Sequence, residues 1–183
     1  MFVKIRKSSA GPAAAPDDPF VLLGACHERI RSFSATALRM VRAKAAPSED
    51  VADAAGRVHL YFTVGLPLHA ADEDEELTDV IRSGLPPDPV SRALETMERE
   101  HRQIEAALSA LAPTWAGLAT GTTAVADVRA ALMGPTEQLV ELFERHLELE
   151  ETVIFPFGRN NLDAAGLATL SHGIRARRQS SRP

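Results

Sequence analysis

The chain has 183 residues, a single cysteine and a formal net charge of −5 at pH 7. That is enough to bury a core within one domain and too little cysteine for a disulfide framework, while the acidic balance argues against nucleic acid as a partner. No stretch approaches the roughly 18 to 20 apolar residues of a membrane span or carries a signal-peptide pattern, so the expected compartment is the cytoplasm, without membrane contact.

Alanine and leucine are abundant, aromatic residues make up 5% of the chain, and period-2 alternation of β-branched residues is missing, which predicts an all-α fold. In chain order, residues 1–16 read as a mobile N-terminal arm and 17–183 as one helical domain. Asp17 and Asp18 can cap a first helix from about Pro19 to Ala46, stopped by Pro47, with a buried stripe of Phe20, Leu23, His27, Ile30, Ser34, Leu38 and Val41. Ser48, followed by Glu49 and Asp50, opens a second helix that lasts to Ser83 and ends in Gly84-Leu85-Pro86-Pro87. Pro67 should kink it two residues before His69.

Asp88-Pro89 opens a third helix with Leu94, Met97, His101, Ile104, Glu105 and Leu108 on one face, expected to loosen near Pro113 and Gly117. After Gly121-Thr122-Thr123 comes a fourth, expected to be interrupted at Gly134-Pro135 and closed by Pro156. A short helix from Leu162 to about Arg178 ends the chain, and its basic Arg175 to Arg178 reads as a solvated terminus. Long helices with short connections predict an antiparallel up-and-down four-helix bundle with a short additional C-terminal helix.

The sequence His146-Leu147-Glu148-Leu149-Glu150 sets an imidazole and a carboxylate four residues apart in an apolar run, about 40° apart on one helical face. A second copy spans His69 to Glu73, and His27 and His101 lie on apolar stripes of their own. In an antiparallel bundle, residues at one height are equidistant from the connecting loop. The midpoints of 27 and 69, of 69 and 101, and of 101 and 146 all fall in or beside the expected loops, so the four histidines should form one layer.

Imidazole and carboxylate suit iron, manganese or zinc, and no thiolate draws the site toward soft metals. Four histidines and two glutamates are too many donors for one tetrahedral zinc. A metal pair fits better, with His27 and His69 on one ion, His101 and His146 on the other, and Glu73 and Glu150 bridging. The cost of burying two carboxylates, several kcal/mol each if unpaired, would be offset by the ions. Glu105, four after His101, reads as a further ligand, an outer hydrogen-bond acceptor or a solvated charge, and Asp72 competes with Glu73. His59 belongs to another layer, His172 to the surface, and Cys26 and Trp115 to the core. Tyr61 is a packing residue that could reach the site's margin.

The series His27, His69-x3-Glu73, His101 and His146-x3-Glu150, the last followed by Val-Ile-Phe-Pro, resembles the hemerythrin-like, or HHE cation-binding, family over about residues 18 to 178. So do Leu66 to Glu73, Glu100 to Glu105 and the paired arginines near the C-terminus. The resemblance implies a four-helix bundle holding a non-haem di-iron centre with an oxo or hydroxo bridge, iron being favoured over manganese or zinc. Oxygen, another diatomic or peroxide would be its ligand. One departure stands out: oxygen carriers of that family have His-x3-His on the third helix, where this chain has Glu105.

With no nucleotide motif or nucleophile triad, the expected function is to bind or sense oxygen or a related oxidant, or to report iron or redox state, rather than dedicated catalysis. The alternatives are a di-iron enzyme acting on peroxide or nitric oxide, and a metal-free interaction bundle. Nothing in the sequence marks a protein partner.

Overall fold

A computed structural model describes residues 18–180; the expected N-terminal arm and Asp17 lie outside the described residues. All regular structure in this range is helical. Helix α1 is Pro19–Arg42. Helix α2 covers 48–83 as a continuous run of Ser48–Leu60, Tyr61–Gly65, Leu66–Ala71, Asp72–Leu77 and Thr78–Ser83. Helix α3 is Asp88–Ala119, α4 covers 125–161 as Val125–Leu149, Glu150–Ile154 and Phe155–Asn161, and α5 is Ala164–Ser180.

Asp18 caps α1, its Oδ1 accepting from the Phe20 amide at 2.9 Å. The helix ends at Arg42 rather than Ala46, with Ala43 already extended. Ala43 is four residues before Pro47, where a continuing helix would drive its carbonyl into the proline ring.

Prolines inside the other helices do not end or interrupt them, and two of them sit beside widened turns. In α2 the segment Tyr61–Gly65 is a widened turn of π type, closed by the Leu66 amide on the Tyr61 carbonyl, and Pro67 follows directly. The same arrangement recurs in α4, where Glu150–Ile154 closes through Phe155 onto Glu150 and Pro156 follows. An extra residue in the turn absorbs the missing amide and the ring clash, so α4 passes through Pro156 to Asn161 instead of closing there. Pro135 and Pro113 also lie within unbroken helix. The α3 helix reaches Ala119, and the reversal falls at Gly121, whose φ of +72° suits glycine.

Helix α1 packs on α2 and α4, and α3 packs on α2 and α4, so the four long helices form a closed ring of neighbours. The core is divided into two clusters. One includes Ile30, Phe62, Leu66, Ile104, Leu108, Trp115 and Phe143. The other includes Phe20, Leu23, Leu77, Ile81, Leu94, Met97, Ile154, Phe155 and, from α5, Leu170 and Ile174. Each long helix passes from one cluster to the other at or beside its histidine: between Leu23 and Ile30, Leu66 and Leu77, and Met97 and Ile104 on the first three, and just after His146, between Leu147 and Ile154, on the fourth. The direction of passage alternates from helix to helix. No helix among the described residues is long and apolar enough to cross a membrane.

Candidate metal centre

The layer between the two apolar clusters holds the six residues singled out by spacing. His27, Glu73 and Glu150 are 0% exposed, His146 2%, His69 3%, and the His101 side chain 10%. They fall into two groups whose potential donor atoms lie within 4.8 Å of one another: His27, His69, Glu73 and Glu150, and Glu73, His101, His146 and Glu150. Both glutamates belong to both groups.

Glu73 approaches three imidazole Nε2 atoms and Glu150 two. His27 Nε2 is 3.5 Å from Glu73 Oε1 and 3.0 Å from Glu150 Oε2. His69 Nε2 is 3.3 Å from Glu73 Oε1, His101 Nε2 3.4 Å from Glu73 Oε2, and His146 Nε2 3.0 Å from Glu150 Oε1. Close as these approaches are, His27 Nε2, both nitrogens of His69 and all four carboxylate oxygens of Glu73 and Glu150 make no hydrogen bond. Buried polar groups left this way each cost about 1 to 3 kcal/mol, and more when charged. The potential donor atoms of each group lie within 4.8 Å of one another, and divalent cations held among them would satisfy them.

The outward nitrogens are held by carboxylates. His27 Nδ1 pairs with Glu151 Oε1 at 2.8 Å, and Arg31 grips both oxygens of Glu151 at 2.9 and 3.0 Å. His101 Nδ1 pairs with Asp74 Oδ1 at 2.8 Å, and His146 Nδ1 lies 3.3 Å from Glu100 Oε2. Carboxylates on Nδ1 fix the tautomer that presents an Nε2 lone pair inward and raise its basicity. Reading the sequence missed all three partners, because Asp74, Glu100 and Glu151 look like solvated charges.

The two His-x3-Glu motifs are built alike. In each, the histidine lies in regular α-helix and the glutamate lies in a widened turn, its carbonyl accepting the i+5 bond from Thr78 or Phe155. In each, the next residue, Asp74 or Glu151, reaches a histidine on another helix. The usable sequence signal is therefore His-x3-Glu followed by a second carboxylate.

Charge follows from this geometry. Burial opposes protonation of His27 and His101, yet the carboxylates around them outweigh it and lift both to about 10. His146 rises to about 9 in the same way, against burial, through Glu150 and Glu100. His69, without an outer partner, is lowered by burial. Burial would raise Glu73, but the surrounding imidazoles hold it well below the usual carboxylate range, and Glu150 is lowered against both burial and Glu73 by His146 and His27.

Two further residues considered as ligands fall outside both groups. Glu105 is exposed. Asp72 is fully buried but faces α5, where Arg177 Nε and Arg178 Nη2 donate to its two oxygens at 3.1 and 3.3 Å. These arginines, expected in a solvated tail, anchor the last helix. Tyr61 stacks on Phe33 at 4.2 Å between ring centroids, its hydroxyl donating to the Cys26 carbonyl at 3.4 Å. Cys26 and Trp115 are buried, His59 is half-buried and His172 exposed.

A cavity of about 700 Å³ lies between α2 and α3, and His69, His101 and His146 are among its lining residues. Ile30, Phe62, Leu66, Ile104, Leu108 and Phe143 form its apolar wall. Sequence reasoning gave no sign of it.

An all-helical domain whose buried histidines and glutamates form two fused donor groups defines a candidate cation-binding protein. The comparison with known families agrees: the chain belongs to the hemerythrin HHE cation-binding domain family, whose sequence profile matches residues 18–158. The matched segment ends before α5. No match was found among curated proteins.

Proposed function

We propose that the chain is a non-haem di-iron protein of hemerythrin type, built as an up-and-down four-helix bundle, that binds or senses oxygen or a related small oxidant. One observation carries this reading: two donor groups share Glu73 and Glu150, and buried donor atoms in them lack hydrogen bonds. His27 and His69 would hold one ion, His101 and His146 the other, with the two glutamates between them. Iron would supply reversible one-electron chemistry toward a small oxidant.

The chain's own residues do the rest. Glu151, Asp74 and Glu100 orient three imidazoles through Nδ1, so the ligand geometry is set before any ion arrives. Phe155 stacks on His27 at 5.0 Å between centroids and keeps water from that side. Access is left from the cavity side, along His69, His101 and His146.

A second reading, a di-iron enzyme acting on peroxide or nitric oxide, draws support from the same cavity, which exceeds what a diatomic ligand needs. Anaerobic reconstitution with ferrous iron, followed by absorption spectra on admitting and removing oxygen, tests the first reading. A reversible oxygen-dependent band is expected. Multiple turnovers of peroxide per chain would favour the second, and no iron-dependent band at all would overturn both.

A further inference from the structure

The cavity is larger and more apolar than a diatomic ligand requires, and its shape is set by the helices. On α3 its lining runs from Glu98 to Ala112, and on α2 from Phe62 to Glu75. From His101 to Ala112 is eleven residues, about 16 Å at the helical rise. The space is therefore a trough along α3 that passes the imidazoles near one end, where Asp74, Glu75 and Glu98 form the rim. At about 700 Å³ it falls in the range of pockets that hold organic ligands, roughly 300 to 1,000 Å³.

Lining and rim restrict what could lie there. The apolar wall calls for an apolar body. Four carboxylates, Asp74, Glu75, Glu98 and Glu105, stand around it with Arg102, which disfavours a polyanion such as a nucleotide. Asp74, Glu75 and Glu98 are engaged by His101, Arg177 and Arg82, so the rim offers no free acidic cluster to draw in a cation. Beside that rim stand His69, His101 and His146, three of the residues assigned to the ions, where a single oxygen-donor head would be welcome and an ammonium would not.

We propose that this trough binds a monocarboxylate with an unbranched apolar chain, the chain lying along α3 from Ala112 toward His101 and the carboxylate at the histidine end. The placement of the head rests on the di-metal reading, whereas the placement of the chain does not. Atoms to report on it are already in place. Trp115, the only tryptophan of the chain, is fully buried and stacks on Phe62, a residue of the trough wall, with centroids 5.6 Å apart.

The test uses decanoate as probe and acetate as the head-only control, titrated into iron-loaded and metal-free protein while Trp115 emission is followed. Saturable change with decanoate and none with acetate is expected, with a Kd at least tenfold tighter in the loaded form. Ala112→Phe should weaken decanoate at least tenfold, and Ser109→Phe provides a second obstruction should the first variant fail to fold. Circular dichroism and iron content of the same preparations accompany each titration. Iron-loaded protein without a saturable response, equal affinity in the two forms, or folded variants that bind as the parent does would each overturn the proposal. A chain that takes up no iron would overturn the di-metal reading and the head-group placement with it, while the metal-free titration still decides whether the chain-binding trough exists.

Discussion

The two donor groups use the same chemistry and differ in their surroundings. His27 is fully enclosed, stacked on Phe155, and its outer partner Glu151 is itself held at both oxygens by Arg31. His101 is partly exposed, its partner Asp74 has a side chain 41% accessible, and with His146, and with His69 of the other group, it borders the cavity. The contrast lies between the sealed His27 corner and the side where His69, His101 and His146 border the cavity; on the proposed di-metal reading the first would favour retention and the second exchange. Rigidity on the closed side comes from a charged hydrogen-bond chain, and access on the open side from the trough between α2 and α3.

The largest effect should come from what the two sides share. Glu150→Ala removes a donor from both groups, so iron content after reconstitution should fall to about one per chain or less. Glu148→Ala, on the exposed face of the same helix, should leave it unchanged and shift stability by no more than about 0.5 kcal/mol. Elemental analysis and thermal melts of both variants check this.

Outer-partner substitutions test the contrast itself. Glu151→Gln and Asp74→Asn should each weaken iron binding about 10- to 100-fold, the usual range for such partners, with Glu151→Gln the more severe. Competition with a chelator measures both, and an Asp74→Asn loss exceeding that of Glu151→Gln would break the division between closed and open sides.

Proton competition gives a smaller, graded effect. In the metal-free chain His27 and His101 are lifted to about 10 and His146 to about 9, so all three carry protons at pH 7 that an ion must displace. Affinity should therefore rise with pH up to about 9 to 10 and fall as pH drops. Calorimetric titrations in buffers of different ionisation enthalpy should record proton release on metal uptake. The smallest effect is expected for Glu105→Ala, which should leave iron content unchanged because the carboxylate is exposed and outside both groups.

The helices and the converging layer were legible because both follow a period of 3.6. Histidines and their apolar neighbours repeat at that spacing, and the loop midpoints reveal the common height. The widened turns were not legible. An extra residue rotates everything after it by about 100°, and a period of 3.6 contains no trace of where that happens. Pro67 therefore read as a kink and Pro156 as a terminus, although both follow a turn that accommodates them. Asp74, Glu100 and Glu151 stayed hidden for a different reason: their partners lie on other helices, and a lone carboxylate beside a motif looks like any solvated charge. Glu105 shares a helical face with His101 by spacing, yet α2 and α3 leave the trough open there. Asp72 competed with its neighbour Glu73 on sequence grounds, and two arginines from a helix expected to fray take it elsewhere.

The proposed reading has six residues, five of them buried, hold two ions, and the direct measurement is iron bound per folded chain after anaerobic reconstitution and removal of free metal. About two irons per chain, one for each donor group, is the predicted result. A folded chain that retains no iron would contradict the account and leave Glu73 and Glu150 as ion-pair partners of protonated His27, His101 and His146 instead of metal ligands.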